Sequence, residues 1–270
     1  MNSPSRTSQV VALTRIGLDR PHSLEGDPDA QRRLCMDMQF SPPEWLLPGI
    51  AARTGFVDDQ VVAAIEAGVR QIVICGAGYD DRALRFRTSG VRFFELDHPA
   101  TQGDKARLLQ SIGAAPPDVT LVAADFRSDD IGMVLAHAGH AASLPTLFIC
   151  EGLLVYLDRG TCHALLATLA RRAATGSVLA VSLAIHADGL DSGEVATEAN
   201  LRRRTGETEP WQTILPVAEH MALIEQAGWT VTATQWCPAA NADVSNGRRT
   251  LLATAAPRKS ARPAGSLSLD

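Results

Sequence analysis

The sequence has 270 residues, of which 46% are hydrophobic and 20% are charged, and its formal net charge is −5. This composition is ordinary for a globular protein, and the negative charge disfavours a nucleic-acid partner, which requires clustered Lys and Arg. No apolar run approaches the roughly 18 residues of a membrane helix, and the N-terminus has no signal-peptide core, so we expect a cytoplasmic protein without a membrane partner. The five cysteines are dispersed and form no Cys-x-x-Cys pair, so we predict neither a metal site nor a disulfide framework.

The first part of the chain, about residues 1–55, is irregular and contains several prolines. We predict that it forms a helical cover over the carboxyl-terminal edge of a sheet. Beyond it, short apolar runs alternate with segments of helical spacing, which predicts a parallel sheet with helices on both faces. The predicted strands are 71–75, 91–97, 119–125, 146–152 and 177–185, and the predicted helices are 80–87, 100–112, 129–138 and 159–173.

Near the end of the chain, a predicted helix at 216–227 precedes two β-rich runs at 229–236 and 248–256. The loop between these runs contains Asn, Asp and Gly, which favours an antiparallel pair that closes the sheet. The predicted fold is therefore an α/β, doubly wound, mostly parallel seven-stranded sheet whose last strands are antiparallel. We predict one domain over residues 1–256 and a disordered tail at 257–270, where the composition lacks apolar periodicity.

Glycines and acidic residues follow four successive predicted strands. Because ligands of open α/β sheets bind outside the carboxyl ends of the strands, this pattern predicts a nucleotide site at that edge. The residues concerned are Gly76 and Gly78 after the first strand, Glu95 and Asp97 at the second, Asp125 at the third and Glu151 at the fourth.

The residues after the glycine turn indicate which nucleotide this site binds. A dinucleotide places its pyrophosphate at the helix N-terminus, where Asp80 and Asp81 stand in this sequence and would repel it. A nucleoside ligand without phosphates, such as S-adenosylmethionine, fits these charges better. An acid about twenty residues after the glycines, here Asp97, is suited to hydrogen-bond ribose hydroxyls.

Four segments of the sequence resemble motifs of the leucine carboxyl methyltransferase family. They are RQIVICGAGYDDRALRF with FFELDHPATQGDKARLL, then ICEGLLVYLDR, RTGFVDDQVVAAIEAG and TGETEPWQ. The resemblance extends from about residue 53 to residue 229 and implies a class I methyltransferase fold with S-adenosyl-L-methionine as the cofactor. One departure is Asp81, where the family commonly has Thr; both residues can cap a helix, so we expect cofactor binding to be retained.

The resemblance also implies roles for individual residues. Arg53 would pair with the cofactor carboxylate, Gly76 and Gly78 would allow the backbone to approach the cofactor, Asp97 would bind the ribose, Asp125 and Phe126 would contact the adenine, and Glu151 would lie near the methionyl end. Glu95 is either part of this set or a partner at the edge of the core. Tyr156 and Trp211 either line the pocket or pack behind it.

The expected activity is O-methylation of a carboxylate or hydroxyl group on a small molecule. A carboxylate acceptor needs no general base, whereas a hydroxyl acceptor needs one, and His98 and His186 follow strand ends where a base could act. We assign no catalytic residue. Two alternatives remain, namely a non-catalytic S-adenosylmethionine-binding regulator and an NAD-dependent oxidoreductase; the acceptor and the oligomeric state are not determined by the sequence.

Overall fold

The computed structural model of the chain describes residues 3–39, 41–114, 118–186, 209–237 and 248–258. Of the predicted disordered tail at 257–270, Pro257 ends the last strand and residues 259–270 lie outside the described residues. So do the loop at 238–247 and most of the segment between the fifth strand and the last helix, at 187–208.

The described residues form one seven-stranded sheet with the strand order β3-β2-β1-β4-β5-β7-β6. Strands β1 to β5 pair in parallel, and β7 runs antiparallel to both of its neighbours, β5 and β6. This arrangement confirms the predicted fold class. The strands are β1 Gln71–Cys75, β2 Arg92–Asp97, β3 Val119–Ala123, β4 Thr146–Cys150, β5 Val178–His186, β6 Trp229–Trp236 and β7 Arg248–Pro257.

Helices pack on both faces of the sheet, as expected for a doubly wound fold. The α-helices are α1 Arg6–Arg15, α2 Ala30–Leu34, α3 Leu47–Glu66, α4 Arg82–Arg85, α5 Pro99–Ser111, α6 Ile131–His137, α7 Arg159–Arg171 and α8 Val217–Gln226, with short 3-10 helices at Glu44–Leu46 and Leu154–Tyr156. None of the described helices is both long and apolar enough to cross a bilayer.

The central strands are buried because each face of the sheet packs against its own apolar cluster. Alternate residues of β1 point to opposite faces, so that Val73 joins the cluster that contains Phe148 and Trp229, while Ile72 packs with Val57 of α3. All five residues of β1 are buried, which explains its continuously apolar sequence. The two layers fix the strand ends, and with them the residues that follow β1, β2, β3 and β4.

The predicted helix at 80–87 is the main difference from expectation, because only the single turn α4 is helical. Asp80 accepts the backbone N–H of Arg82 through Oδ1 at 2.8 Å, a local hydrogen bond that competes with an earlier helix start. Asp81 occupies the N-cap position of α4 but makes no capping hydrogen bond. The expectation that Asp81 caps this helix is therefore wrong.

Candidate active site

A cavity of about 410 Å³ opens at the carboxyl ends of the parallel strands. Six of the seven predicted cofactor residues line it, namely Arg53, Gly76, Asp97, Asp125, Phe126 and Glu151. Gly78 is not among the lining residues, although its backbone N–H donates to Asp97 Oδ2 at 2.7 Å. The sheet topology thus gathers residues from α3 and from four strand ends around one space.

Asp97 connects the glycine turn to the end of β2. Besides the Gly78 bond, its Oδ1 accepts the backbone N–H of His98 at 2.7 Å. Burial raises the pKa of Asp97, while the two N–H donors favour the ionised form. Each carboxylate oxygen has a second lone pair, so Asp97 can accept further hydrogen bonds from a ligand in the cavity.

Gly78 adopts a left-handed conformation with φ +50°, and α1 packs directly against it. A Cβ atom placed on this glycine would lie 2.6 Å from Cβ of Ser8, too close for the two to coexist without movement. The position therefore requires glycine both for its backbone conformation and for the approach of α1.

Glu151 follows β4 and is held by three arginines. Its Oε1 accepts from Arg15 Nη2 at 2.7 Å and from Arg53 Nε at 2.9 Å, and its Oε2 accepts from Arg82 Nη1 at 2.8 Å. Burial opposes ionisation of Glu151, but the three guanidinium groups outweigh it and lower its pKa to about 2. Glu151 is therefore a fixed anion whose charge is shared among cations.

The acidic pair Asp80 and Asp81 is also compensated by arginines. Asp80 pairs with Arg15 at 3.3 Å and with Arg82 at 2.5 Å. Asp81 pairs with Arg20 at 2.8 Å and with Arg85 at 2.9 Å. Asp80 and Asp81 therefore do not repel a phosphate ligand as predicted, because both carboxylates are buried and paired with arginines.

Asp58 of α3 completes this group of buried ion pairs. It has no exposed side-chain surface and contacts Arg20, Arg82 and Arg85 at 2.9, 2.6 and 3.1 Å. Burial of Asp58 opposes its ionisation, yet the three arginines hold its pKa well below the usual range. We call the set formed by Arg15, Arg20, Arg53, Asp58, Asp80, Asp81, Arg82, Arg85 and Glu151 the arginine–carboxylate network.

Glu95 does not belong to the cavity. It is buried and pairs with the buried Lys105, whose ammonium group also donates to the backbone carbonyl of Asp80 at 2.6 Å. Of the two interpretations of Glu95, the structure supports a partner at the edge of the core.

Two aromatic residues differ in their relation to the cavity. Tyr156 lines the cavity, and burial raises the pKa of its hydroxyl, which also interacts with Trp211 and Thr7. Trp211 is not among the lining residues; the neighbouring Glu209 and Pro210 are. Trp211 thus contacts the hydroxyl of Tyr156 without lining the cavity itself.

Of the two candidate bases, the structure describes the side chain of His98 but not that of His186. His98 lines the cavity and caps α5, since its Nδ1 accepts the backbone N–H of Ala100 at 3.3 Å. The neutral ring therefore carries its proton on Nε2 and can act there as a donor. His186 ends β5, and its side chain lies outside the described residues.

Comparison with known proteins identifies the family. The model of the leucine carboxyl methyltransferase family matches residues 22–170, more than half of the chain. The chain belongs to the leucine carboxyl methyltransferase family. The match confirms the resemblance predicted from the motifs, and it includes all seven predicted cofactor residues.

Relatives of this family member are provisionally named S-adenosyl-L-methionine-dependent methyltransferases. One from Streptomyces coelicolor is 40% identical over 159 residues, which is 58% of this chain and 53% of the relative. One from Mycolicibacterium gilvum is 36% identical over 201 residues, which is 69% of this chain and 63% of the relative. The matches thus span between half and two thirds of the relatives' length.

Solved structures support the fold of this methyltransferase family member. A protein from Thermobifida fusca, provisionally identified as a methyltransferase, aligns with a TM-score of 0.63 at 15% identity over 96% of this chain and 97% of its own. The magnesium protoporphyrin IX methyltransferase from Synechocystis, solved with bound S-adenosylhomocysteine, aligns with a TM-score of 0.54 at 15% identity over 86% and 94% of the two chains. At this identity the likeness shows the class I methyltransferase fold alone.

Two of the arginines that bind Glu151 were missed by sequence reasoning. Arg82 stands at the arginine of the segment Gly-x-Asp-Thr-Arg that is common in the family, so the sequence motif could have identified it. No sequence motif identifies Arg15, because this residue, at the end of α1, lies outside the residues that match the family model.

Proposed function

We propose that this protein is an S-adenosyl-L-methionine-dependent O-methyltransferase that methylates a carboxylate or hydroxyl group of a small molecule. The observation that carries the proposal is the cavity at the carboxyl ends of β1 to β4, which is lined by six of the seven residues that the family motifs assign to the cofactor. Membership of the family supports the same chemistry. The compensated charges of Asp80 and Asp81 no longer argue against NAD, so the case against an oxidoreductase depends on the family.

The residues present fit the adenosine part of this cofactor. In the proposed arrangement, Asp97 accepts hydrogen bonds from the ribose hydroxyls through its remaining lone pairs. Asp125 accepts from the adenine amino group, and Phe126, half-buried against the core, provides an apolar wall. Asp125 Oδ1 already accepts the backbone N–H of Arg127 at 3.0 Å, which holds the carboxylate in place.

The methionyl part fits the charged end of the cavity. The side chain of Arg53 is 19% exposed, whereas Arg15 and Arg82 are 6% and 0% exposed, so Arg53 is the arginine of Glu151 best placed to contact a carboxylate. Glu151 Oε2 accepts one hydrogen bond from the described residues, which leaves a second lone pair on that oxygen for an ammonium donor.

When bound, the cofactor supplies a methyl group on a sulfonium, which is activated for in-line displacement. The protein's own residues have to orient the acceptor and exclude water, and positioning of this kind contributes about 7–11 kcal/mol. His98 presents a donor proton at Nε2, which suits hydrogen bonding better than proton abstraction. A carboxylate acceptor, already ionised at neutral pH, needs no base from the chain.

The cofactor is tested by calorimetry with S-adenosylhomocysteine and with NAD. We expect a dissociation constant in the micromolar range for S-adenosylhomocysteine and no measurable heat with NAD. Tight binding of NAD without a response to S-adenosylhomocysteine would reverse the proposal.

The reaction is tested with a panel of small carboxylates and phenols, using mass spectrometry to detect a gain of one methyl group. For a carboxylate acceptor we expect a rate that is flat from neutral to mildly alkaline pH, and for a hydroxyl acceptor a rate that rises. Cofactor binding without turnover on any member of a broad panel would instead support the non-catalytic regulator.

A further inference from the structure

The N-terminal helix α1 presents one side to the cavity. Ser5 at its N-cap and Ser8, Val11 and Arg15 within it all line the cavity, and their spacing of three, three and four residues places them along a single helical stripe. The helix is therefore a wall of the candidate cofactor site.

Both ends of α1 are fixed to other parts of the site. At the N-terminal end, the backbone N–H of Ser5 donates to Thr101 Oγ1 at 3.1 Å, and the Ser5 hydroxyl donates to Glu209 Oε2 at 3.1 Å. In the middle, Gln9 donates to the Tyr79 hydroxyl at 3.2 Å. These contacts reach α5, the residues before α8 and the glycine turn.

At the C-terminal end, Arg15 is 5% exposed and binds three elements at once. Its guanidinium contacts Glu151 after β4, Asp80 after the glycine turn, and Thr54 Oγ1 of α3, the last at 3.2 Å.

Arg15 and Arg53 share the same oxygen of Glu151. If Arg53 turns to a ligand carboxylate, Arg15 and Arg82 still compensate Glu151 and keep its orientation. Without Arg15, Arg53 would have to stay paired with Glu151, because breaking a buried ion pair leaves an uncompensated charge. The positive charge of Arg15 therefore leaves Arg53 able to bind a ligand carboxylate.

We propose that α1 is an integral part of the cofactor site and that Arg15 is its positioning residue, so that docking of α1 and binding of the cofactor stabilise each other. This inference rests on the proposed function, and it concerns a helix outside the region that matches the family model.

The experiment compares Arg15→Gln and Arg15→Lys with Arg32→Gln, a control at a surface arginine whose side chain is 71% exposed. Affinity for S-adenosylhomocysteine is measured by calorimetry, and amide hydrogen exchange in α1 is followed with and without that ligand. We expect Arg15→Gln to lower the affinity at least tenfold, Arg15→Lys to lower it less, and Arg32→Gln to leave it unchanged. In the wild-type protein, ligand should slow exchange in α1.

The outcomes separate this inference from the proposed function. If the wild-type protein does not bind S-adenosylhomocysteine, the proposed function fails. If it binds but exchange in α1 does not slow, the coupling is refuted, even where an Arg15 variant does not fold. Equal affinities of wild-type and Arg15→Gln protein would also refute it.

Discussion

Asp97 illustrates how one side chain can serve both the fold and a ligand. Its two oxygens take backbone N–H groups from Gly78 and His98, so the carboxylate fixes the glycine turn before any ligand arrives. A ligand then meets a carboxylate that is already oriented. Such preorganisation reduces the ordering cost of binding.

For Asp97→Ala, we expect affinity for S-adenosylhomocysteine to fall by roughly ten- to a hundredfold. The variant loses hydrogen bonds to a charged group, which contribute about 1.5–3 kcal/mol. Calorimetry measures the change, and thermal unfolding confirms that the variant is folded. An unchanged affinity in a folded variant would place the ribose elsewhere.

For Glu151→Gln, we expect a loss of about 3–5 kcal/mol in the free energy of unfolding. The substitution removes a buried carboxylate and leaves three arginines without their shared anion. Urea unfolding measures the loss. The matched control is Glu219→Gln, which breaks an exposed pair with Arg159 and should cost less than about 1 kcal/mol. Similar losses in both variants would show that burial of the network does not matter.

At the scale of elements, the contact between α1 and the glycine turn leaves little space for a larger side chain. Ser8 lies where a side chain at position 78 would be, and the turn has a backbone conformation that residues other than glycine rarely adopt. Any enlargement of the turn must therefore displace the helix. The displacement would carry Arg15 away from Glu151 and Asp80.

We expect Gly78→Ala to lower both stability and affinity for S-adenosylhomocysteine. The control is Gly68→Ala, because Gly68 also has a positive φ but has open space around its missing Cβ. That variant reports backbone strain alone, about 1–2 kcal/mol. Adding Ser8→Gly to Gly78→Ala should restore part of the affinity, since it removes the atom that the new methyl group meets. Equal effects of Gly78→Ala and Gly68→Ala would mean that α1 adjusts freely.

At the scale of the whole molecule, stability should depend on pH through the buried His140, which does not line the cavity. His140 is 4% exposed, contacts Thr146 through Nε2 at 3.0 Å and accepts from Arg172 Nε at 3.1 Å. Burial, together with the charges of Arg172 and Arg92, lowers the pKa of His140 from 6.5 to about 4. The unfolded chain therefore binds more protons than the folded protein between these pH values.

The consequence is that His140 removes stability as the pH falls from about 6.5 to about 4, by at most about 1.4 kcal/mol per pH unit. We expect His140→Gln to show a shallower loss over this window than the wild-type protein, whatever its absolute stability. Denaturant unfolding at several pH values gives the slopes. His22→Gln, at an exposed histidine, should retain the wild-type slope. A wild-type slope in His140→Gln would show that this imidazole titrates normally in the folded protein.

The sheet could be predicted because its strands have a local signature. Strands β1 and β6 coincide with their predicted bounds. Strand β1 lies between two apolar layers and is continuously apolar, whereas β6 is a largely exposed edge strand that is recognised by its β-branched and aromatic residues. The acids at the strand ends could be predicted as neighbours because parallel strands end at one edge. Asp97, Asp125 and Glu151 do share the cavity.

The partners of those acids could not be predicted in the same way. Arg15 and Arg20 precede the sheet by more than fifty residues, and nothing in the local sequence indicates that they neutralise Glu151, Asp80 and Asp81. The prediction that Asp80 and Asp81 repel a phosphate is wrong for this reason, because each carboxylate is paired with distant arginines. Periodicity also could not reveal that Glu95 finds Lys105 inside the protein, because both stand at ordinary positions in their elements.

The anchoring of α1 also constrains the order of events during synthesis. The helix is synthesised before its partners Thr101, Glu151 and Glu209, which emerge from the ribosome much later. At about 5–20 residues per second, the last of them follows after roughly 10–40 seconds. Through that interval the serines and arginine of α1 are hydrated, and the nascent sheet exposes an unfinished edge. A peptide fused ahead of Ser3 would remain beside the cavity mouth after folding, so a label for binding studies belongs elsewhere on the chain.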